Sequence, residues 1–107
     1  SGHDNHWIHL KDIMYFESLD RKIVFVDSEN MYHEFYGTMD NVFDQIKSIG
    51  FMMIHKSYII NYRYVCEFHS SEIIMDNGKA LPVSKHRKNE VLKWQLKMET
   101  GWKNNYE

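Results

Sequence analysis

Residues 51–61 have the sequence FMMIHKSYIIN, and we interpret the rest of the chain as organised around them. The runs FMMI and YII are apolar and typical of buried strands, whereas the HKS step between them is polar. A lysine is rarely buried without a partner, so we predict a hairpin with two core strands and a surface turn that carries His55, Lys56 and Ser57. Such a turn suits a contact loop on a rigid scaffold, and the alternative is an ordinary hairpin with one solvated lysine.

The sequence on both sides of this stretch predicts further short strands. Apolar or alternating runs are separated by charged and turn-forming residues, which is the pattern of antiparallel hairpins. The pair Asn77-Gly78 is typical of a tight hairpin turn, because both residues tolerate positive φ angles. Besides the hairpin of residues 51–61, we predict strands at residues 8–10, 13–16, 23–26, 31–36, 58–68, 72–75 and 79–83.

A central helix is predicted after the third of these strands. Apolar residues recur at helical spacing over residues 39–49, and Thr38 before them is a suitable N-cap. Gly50 is a suitable end, since glycine commonly follows the last helical turn. We interpret this helix as core packing without chemistry of its own.

A second helix is predicted over residues 85–100, with Ser84 as its N-cap and Gly101 as its end. Its apolar residues form one rough face, but Trp94 and Leu96 fall outside it. These two residues either widen the buried stripe or mark a surface that another chain covers.

Length and composition favour one globular domain. The chain has 107 residues, of which 43% are hydrophobic and 15% aromatic, enough to form a compact core. No apolar run approaches the length of a membrane span, and the start does not resemble a signal peptide. The single cysteine, Cys66, cannot form an internal disulfide, and its apolar neighbours predict a buried position. A reducing cytoplasm is the expected location.

The charge is distributed unevenly along the chain. The net charge is −2, but residues 1–46 hold three basic residues against nine acidic ones, whereas residues 47–107 hold ten against six. Between Lys79 and Lys97 the ratio is six to one. A basic half is compatible with a nucleic-acid surface, because phosphates are met locally, and the alternative is a solvated helix face.

Catalytic and metal chemistry are not supported by the motifs. The histidines His3, His6 and His9 are spaced so that they do not converge on one ion in either a strand or a helix. Ser57 lies two residues from His55, but no glycine-rich elbow or oxyanion motif accompanies this pair. The scattered glycines form no phosphate-binding loop. We therefore expect neither an enzyme nor a cofactor or metal.

Four ordered motifs together resemble the LytTR domains, the DNA-binding halves of many bacterial response regulators. The stretch FMMIHKSYIIN resembles their F-x-x-I-H-x-S-Y-x-x-N signature, and DIMYFES at residues 12–18 resembles their opening strand. Residues 36–49 resemble their G-x-[LM] step and helix, and ALPVSK at residues 80–85 resembles their closing hairpin and P-V-S-[RK] step. One position departs from the pattern, since Met53 stands where many members have arginine.

The resemblance implies a mostly β fold of about ten short strands in small, mainly antiparallel sheets, with one central helix and a C-terminal helix. It also implies that loops enter the grooves of double-stranded DNA. By resemblance, bases are read by Arg21 (or Lys22, if the alignment shifts by one), Lys56 and Lys85. The full set of predicted DNA-contacting residues is Arg21, Lys22, His55, Lys56, Ser57, Asn61, Lys85, His86, Arg87 and Lys88.

The function implied by this resemblance is that of a sequence-specific output domain in a two-component transcription regulator. Such domains follow a receiver domain phosphorylated on aspartate, and two copies occupy paired direct repeats. We assign residues 12–107 to the DNA-binding domain and residues 1–11 to an N-terminal extension that includes a first short strand and a start typical of a tag remnant. The alternative from another class is a non-catalytic β-rich module that binds proteins or a sensor through exposed Trp94 and tyrosines.

Overall fold

The structure is a computed structural model that describes the backbone of residues 7–106 and the side chains of residues 7–101. Its fold is mostly β, as predicted, with eight strands in the described residues rather than about ten. The elements are β1 (Ile13–Leu19), β2 (Lys22–Asp27), β3 (Tyr32–Tyr36), α1 (Met39–Ile46), β4 (Phe51–His55), β5 (Tyr58–Asn61), β6 (Val65–Phe68), β7 (Glu72–Met75), β8 (Ala80–Pro82) and α2 (Lys88–Tyr106). Short 3₁₀ turns cover Leu10–Asp12, Tyr62–Tyr64 and Lys85–Arg87.

Two antiparallel sheets organise these strands. The larger has the order β3-β2-β1-β5-β4, and the smaller has the order β6-β7-β8. The predicted hairpin of residues 51–61 is confirmed as β4 and β5. β5 also pairs with β1, so this hairpin completes the larger sheet.

Both faces of the larger sheet are buried where β1, β5 and β4 lie side by side. Successive residues of a strand point to opposite faces, so Phe51 and Met53 join one cluster while Met52 and Ile54 join the other. The first cluster packs against α1 and the second against β7, β8 and the start of α2. Two-sided burial is the reason that FMMI is an unbroken apolar run rather than an alternating one.

The helix α1 begins as the sequence predicts. The hydroxyl of Thr38 accepts a hydrogen bond from the backbone N–H of Asn41 at 3.2 Å, which is the N-cap arrangement. The helix ends at Ile46, three residues earlier than predicted, and residues 47–50 form turns that close at Gly50 with a φ of +94°.

The second helix differs from its prediction at both ends. It starts with the 3₁₀ turn Lys85–Arg87, and the Ser84 side chain makes no capping hydrogen bond. The Ser84 N–H instead donates to the carbonyl of Ile54 at 2.9 Å, which fixes this turn beside β4. The backbone remains helical through Gly101, because one glycine costs only about 1 kcal/mol relative to alanine.

Two further expectations are corrected by the structure, and one open alternative is decided. Residues 8–10 form no strand, since Leu10 begins a 3₁₀ turn. Cys66 is exposed, because the β-bulge between Val65 and Glu67 occurs at its position in the edge strand β6. Trp94 widens the buried stripe of α2, packing edge-on against two rings at centroid distances of 5.8 and 6.1 Å, while Leu96 remains exposed.

The search for metal and membrane features covers the described residues only. Among them, no group of three potential ligands could hold a metal ion. His3 and His6, two of the three histidines considered above as metal ligands, lie outside this range. Within the same range, α-helices long and apolar enough to cross a bilayer are absent.

The turn between β2 and β3 depends on one carboxylate. Asp27 Oδ1 accepts from the backbone N–H groups of Glu29 and Met31, and Asp27 Oδ2 lies 2.8 Å from His33 Nε2. Partial burial raises the pKa of Asp27, but these hydrogen bonds and the nearby His33 outweigh burial and hold the pKa below its usual value.

We predict that Phe51→Ala lowers the free energy of unfolding by about 3–5 kcal/mol, because the ring is 1% exposed and packs against Phe16. Lys56→Ala, in the turn of the same hairpin, should stay within about 0.5 kcal/mol of the wild type. Urea denaturation of the two variants measures both values. Equal losses would mean that the lysine supports the fold.

We predict that Asp27→Asn removes stability near neutral pH and less of it in acid. Because the folded-state pKa is lowered, the carboxylate stabilises the protein above its unfolded-state pKa, and this contribution is lost as the pH falls through the folded-state value. Urea denaturation of both proteins between pH 6 and pH 3 measures the difference. A difference that stays constant over this range would contradict the prediction.

Candidate nucleic-acid interface

An open cleft of about 570 Å³ lies at one end of the larger sheet. We call it the cationic cleft. Four segments line it: the β1–β2 turn with the end of β1, the start of α1, the β4–β5 hairpin and the 3₁₀ turn before α2. The lining residues are Ser18, Arg21, Gly37, Thr38, Met39, Asp40, Met53, Lys56 and Arg87.

Strand direction brings these segments together. β1 and β5 are antiparallel, so the end of β1 lies beside the start of β5, and the N–H of Ser18 donates to the carbonyl of Ser57 at 2.9 Å. The pairing of Lys22 with Tyr36 places the start of α1 at the same end of the sheet. The hydrogen bond from Ser84 to β4 adds the 3₁₀ turn. The cleft is therefore assembled by backbone hydrogen bonds.

The β1–β2 turn presents Arg21 at its tip. Asp20 and Arg21 have φ angles of 50° and 68°, so both central residues of this two-residue turn are left-handed, as a type I′ turn requires. Arg21 is exposed, whereas the neighbouring Lys22 lies in β2 and pairs with Glu34 at 3.2 Å. Of the two residues that the alignment left open, the cleft is lined by Arg21.

The charges in the cleft are not neutralised locally. Arg21, Lys56 and Arg87 share the lining with one carboxylate, Asp40. Among the described side chains, no carboxylate lies within 4.0 Å of any of these three cations. The cleft therefore carries an excess of positive charge, which favours anionic ligands.

Arg87 occupies a constrained position in this group. Its side chain is partly buried, and its Nε atom is fully buried without a hydrogen-bond partner among the described residues. The Ser84 hydroxyl has the same status. A buried donor without a partner costs free energy, so such an atom calls for an explanation.

The histidine of the quoted stretch holds the β4–β5 turn in place. His55 Nδ1 accepts from the backbone N–H of Ser57 at 3.0 Å, and an accepting ring nitrogen carries no proton. Tyr58, 5.7 Å from the His55 ring, donates to Glu17 at 3.2 Å. Burial, followed by the Glu17 charge, raises the pKa of Tyr58, so this phenol keeps its proton. His55 and Ser57 thus position Lys56.

Three further predicted residues, Lys85, His86 and Lys88, lie in two different parts of the surface. Lys85 and His86 are exposed on the 3₁₀ turn next to Arg87. Lys88 lines a separate groove of about 260 Å³ between β6 and α2. Lys88 is therefore not part of the cationic cleft, although it directly follows Arg87 in the sequence.

Asn61 does not belong to this surface. It is 5% exposed, and its Nδ2 donates to the carbonyls of Ile13 at 2.9 Å and Lys11 at 3.4 Å. Its Oδ1 accepts from the N–H of Arg63 at 3.1 Å. The amide is occupied by backbone partners, so Asn61 joins β5 to the start of β1 and is not available to a ligand.

Asp40 lines the cleft, although no sequence motif predicted it there. The helical pattern of α1 predicts core packing alone, because it contains no information on the pairing of β2 with β3. That pairing, with Lys22 opposite Tyr36, brings the start of α1 to the cleft. The only sequence signal was the acidic residue in the first turn of the helix.

Comparisons with known proteins identify a family and a matching fold. The sequence profile of the LytTr DNA-binding domain matches residues 3–95. In a search of solved structures, the chain matches the LytTr DNA-binding domain of a Bacillus cereus protein described as a methyl-accepting/DNA response regulator. The TM-score is 0.72 at 23% sequence identity, and the match covers 86% of this chain and 90% of that one. A search of curated protein sequences found no match.

Proposed function

The chain belongs to the LytTR family of DNA-binding domains, and from this membership we propose that the cationic cleft and its flanking turns form a sequence-specific surface for double-stranded DNA. The observation that carries the proposal is the meeting of Arg21, Lys56 and Arg87 in one cleft, each from a different segment. Lysine and arginine neutralise phosphates and also donate to guanine in the major groove.

The shape of this surface suits insertion of loops rather than of a helix. The cations lie on a hairpin tip, a hairpin turn and a 3₁₀ turn, and the major groove is wide enough to admit a two-stranded ribbon. We propose that Arg21, Lys56 and Lys85 read bases and that His86 and Arg87 contact the backbone. Lys88 lies in its own groove and contributes less.

In the whole regulator, we propose that this domain is the output of a two-component system in the cytoplasm. A receiver domain phosphorylated on aspartate would control it, and two copies would occupy direct repeats in head-to-tail order. The proposal assigns no catalytic step to the domain and no cofactor. Its proposed role is to recognise and bind DNA.

A protein-interaction module remains the second candidate, because Tyr32 and Tyr36 are exposed on the edge strand β3. Trp94 no longer supports it, since that ring packs against Tyr62 and Phe68. A gel-shift assay with genomic fragments at low and raised salt separates the two functions. A protein-interaction module would retain no fragment at either salt concentration.

We predict that DNA affinity falls steeply as salt rises. With roughly four to six phosphates neutralised, the slope of log K against log salt should be about −0.9 per contact, because each contact releases condensed counterions. Fluorescence anisotropy at several salt concentrations measures the slope. A flat dependence would remove phosphate binding from the proposal.

We predict that Lys56→Ala and Lys85→Ala reduce the ratio of specific to non-specific affinity. A lost base contact should cost about 1–3 kcal/mol on the cognate duplex and much less on a scrambled one. Anisotropy of each variant on both duplexes measures the ratio. Lys97→Ala, an exposed lysine of α2 outside the cleft lining, is the matched control and should leave the ratio unchanged.

An equal loss on both duplexes for Lys56→Ala would identify that lysine as a phosphate contact. Base reading would then have to come from Arg21, Lys85 or His86. Because Lys56 is exposed, a folding defect should not confuse this comparison, and a melting curve of each variant verifies that.

A further inference from the structure

We propose that the cationic cleft is a binding site for a single backbone phosphate, with the Arg87 guanidinium as its main ligand and the Asp40 carboxylate weakening the binding by repulsion. This inference rests on the proposed DNA-binding function and adds a defined chemical group to it. It also separates the work of Arg87 from that of the exposed cations beside it.

Arg87 brings a guanidinium without a protein acceptor to the cleft. Its Nε atom is buried and has no acceptor among the described residues, whereas the side chain as a whole is only partly buried and lines the open cleft. Because a phosphate oxygen cannot reach the buried Nε, binding would use the terminal Nη1 and Nη2 donors, which can form two parallel N–H···O bonds to a phosphate. The buried part of the side chain would hold these terminal donors at the cleft.

Positive charge and backbone donors surround Arg87. Arg21 and Lys56 line the same cleft, and neither has a carboxylate within 4.0 Å among the residues described. In the first turn of α1, the Thr38 hydroxyl accepts from the N–H of Asn41, and the N–H groups of Met39 and Asp40 have no acceptor within the described part of the chain. All these contributions favour an anion.

Asp40 is the one carboxylate that residues 7–101 contribute to the lining. It is exposed and forms no ion pair with the cleft cations, so its charge opposes an incoming phosphate. Removing that charge should strengthen phosphate binding, whereas a residue with a purely structural role would not produce a gain. Asp40 thereby limits affinity that is independent of base sequence.

The source of the phosphate follows from the position of the site. The cleft is open and lies between the turns that we propose to enter the DNA grooves, next to the exposed Lys85 and His86. A phosphodiester of the DNA backbone fits this position. Free inorganic phosphate offers the same oxygens, so the experiment must distinguish the two sources.

The test is a scan with neutral linkages. A duplex is selected from random sequence by its binding to the wild-type domain, and single methylphosphonates then replace each backbone phosphate in turn. We expect one position at which the neutral linkage weakens wild-type binding about tenfold or more and Arg87→Gln binding by less than about twofold. Such coupling shows that the arginine and that phosphate act on each other.

Two further variants complete the design. Asp40→Asn should tighten binding severalfold, equally on selected and scrambled duplexes, because a phosphate is present in both. Lys97→Gln should show no coupling to any linkage, since this lysine lies on α2 about 15 Å along the helix from Arg87. Melting temperatures verify that each variant is folded.

The second arm titrates inorganic phosphate alone, in chloride of matched ionic strength, and follows the backbone N–H resonances of the cleft residues by NMR, since these are present in the wild type and in Arg87→Gln. Shifts in the wild type that are lost in Arg87→Gln, together with the coupled linkage, support the site. Saturation by millimolar phosphate without any coupled linkage would overturn the backbone assignment.

The remaining outcomes separate this inference from the proposed function. If the wild type binds the selected duplex but no linkage couples to Arg87, the phosphate site is wrong and DNA binding stands. If Asp40→Asn weakens binding, the electrostatic role of Asp40 is wrong. If the wild type retains no duplex at any salt concentration, both the site and the proposed function fail.

Discussion

The pairing of β5 with two neighbours at once is the constraint on which the structure depends. β5 bonds to β4 through a tight hairpin and to β1 across 41 or more residues of sequence, as in the contact of Glu17 with Tyr58. Ile59 and Ile60 are fully buried on opposite faces. Without β5, no strand would contribute side chains to both core clusters at this position. The β1–β2 hairpin would then have no hydrogen-bonded connection to β4.

The same pairing determines where the cations lie. Backbone hydrogen bonds fix the ends of β1, β4 and β5, and the basic side chains project from the turns that join or follow these ends. Core packing and the proposed DNA contacts thus reside in different atoms of the same segments. Loops on a rigid scaffold can change their side chains at little cost to stability.

Much of the fold could be predicted from the sequence, because strand alternation and turn chemistry are local. The hairpin of residues 51–61, the Asn77-Gly78 turn and the Thr38 cap depend on neighbouring residues only. The site was harder to predict, since its membership depends on which strands pair. Asn61 illustrates this limit: its side chain is bound to Ile13, 48 residues away, and no local pattern identifies that partner. Lys88 and Arg87 are adjacent in sequence, yet the geometry of the helix start directs them to different grooves.

The left-handed turn at Asp20 and Arg21 restricts which residues can be used at the tip of the first hairpin. Glycine, asparagine and aspartate adopt this conformation readily, whereas β-branched side chains adopt it only with strain. Contact with phosphate or guanine requires a long cation instead. Few residue types can therefore occupy this tip without strain, which limits the substitutions that could change its contacts with DNA. A preference that requires valine or threonine there would need a turn of different length, so specificity is expected to diverge through insertions in this loop as well as through substitutions.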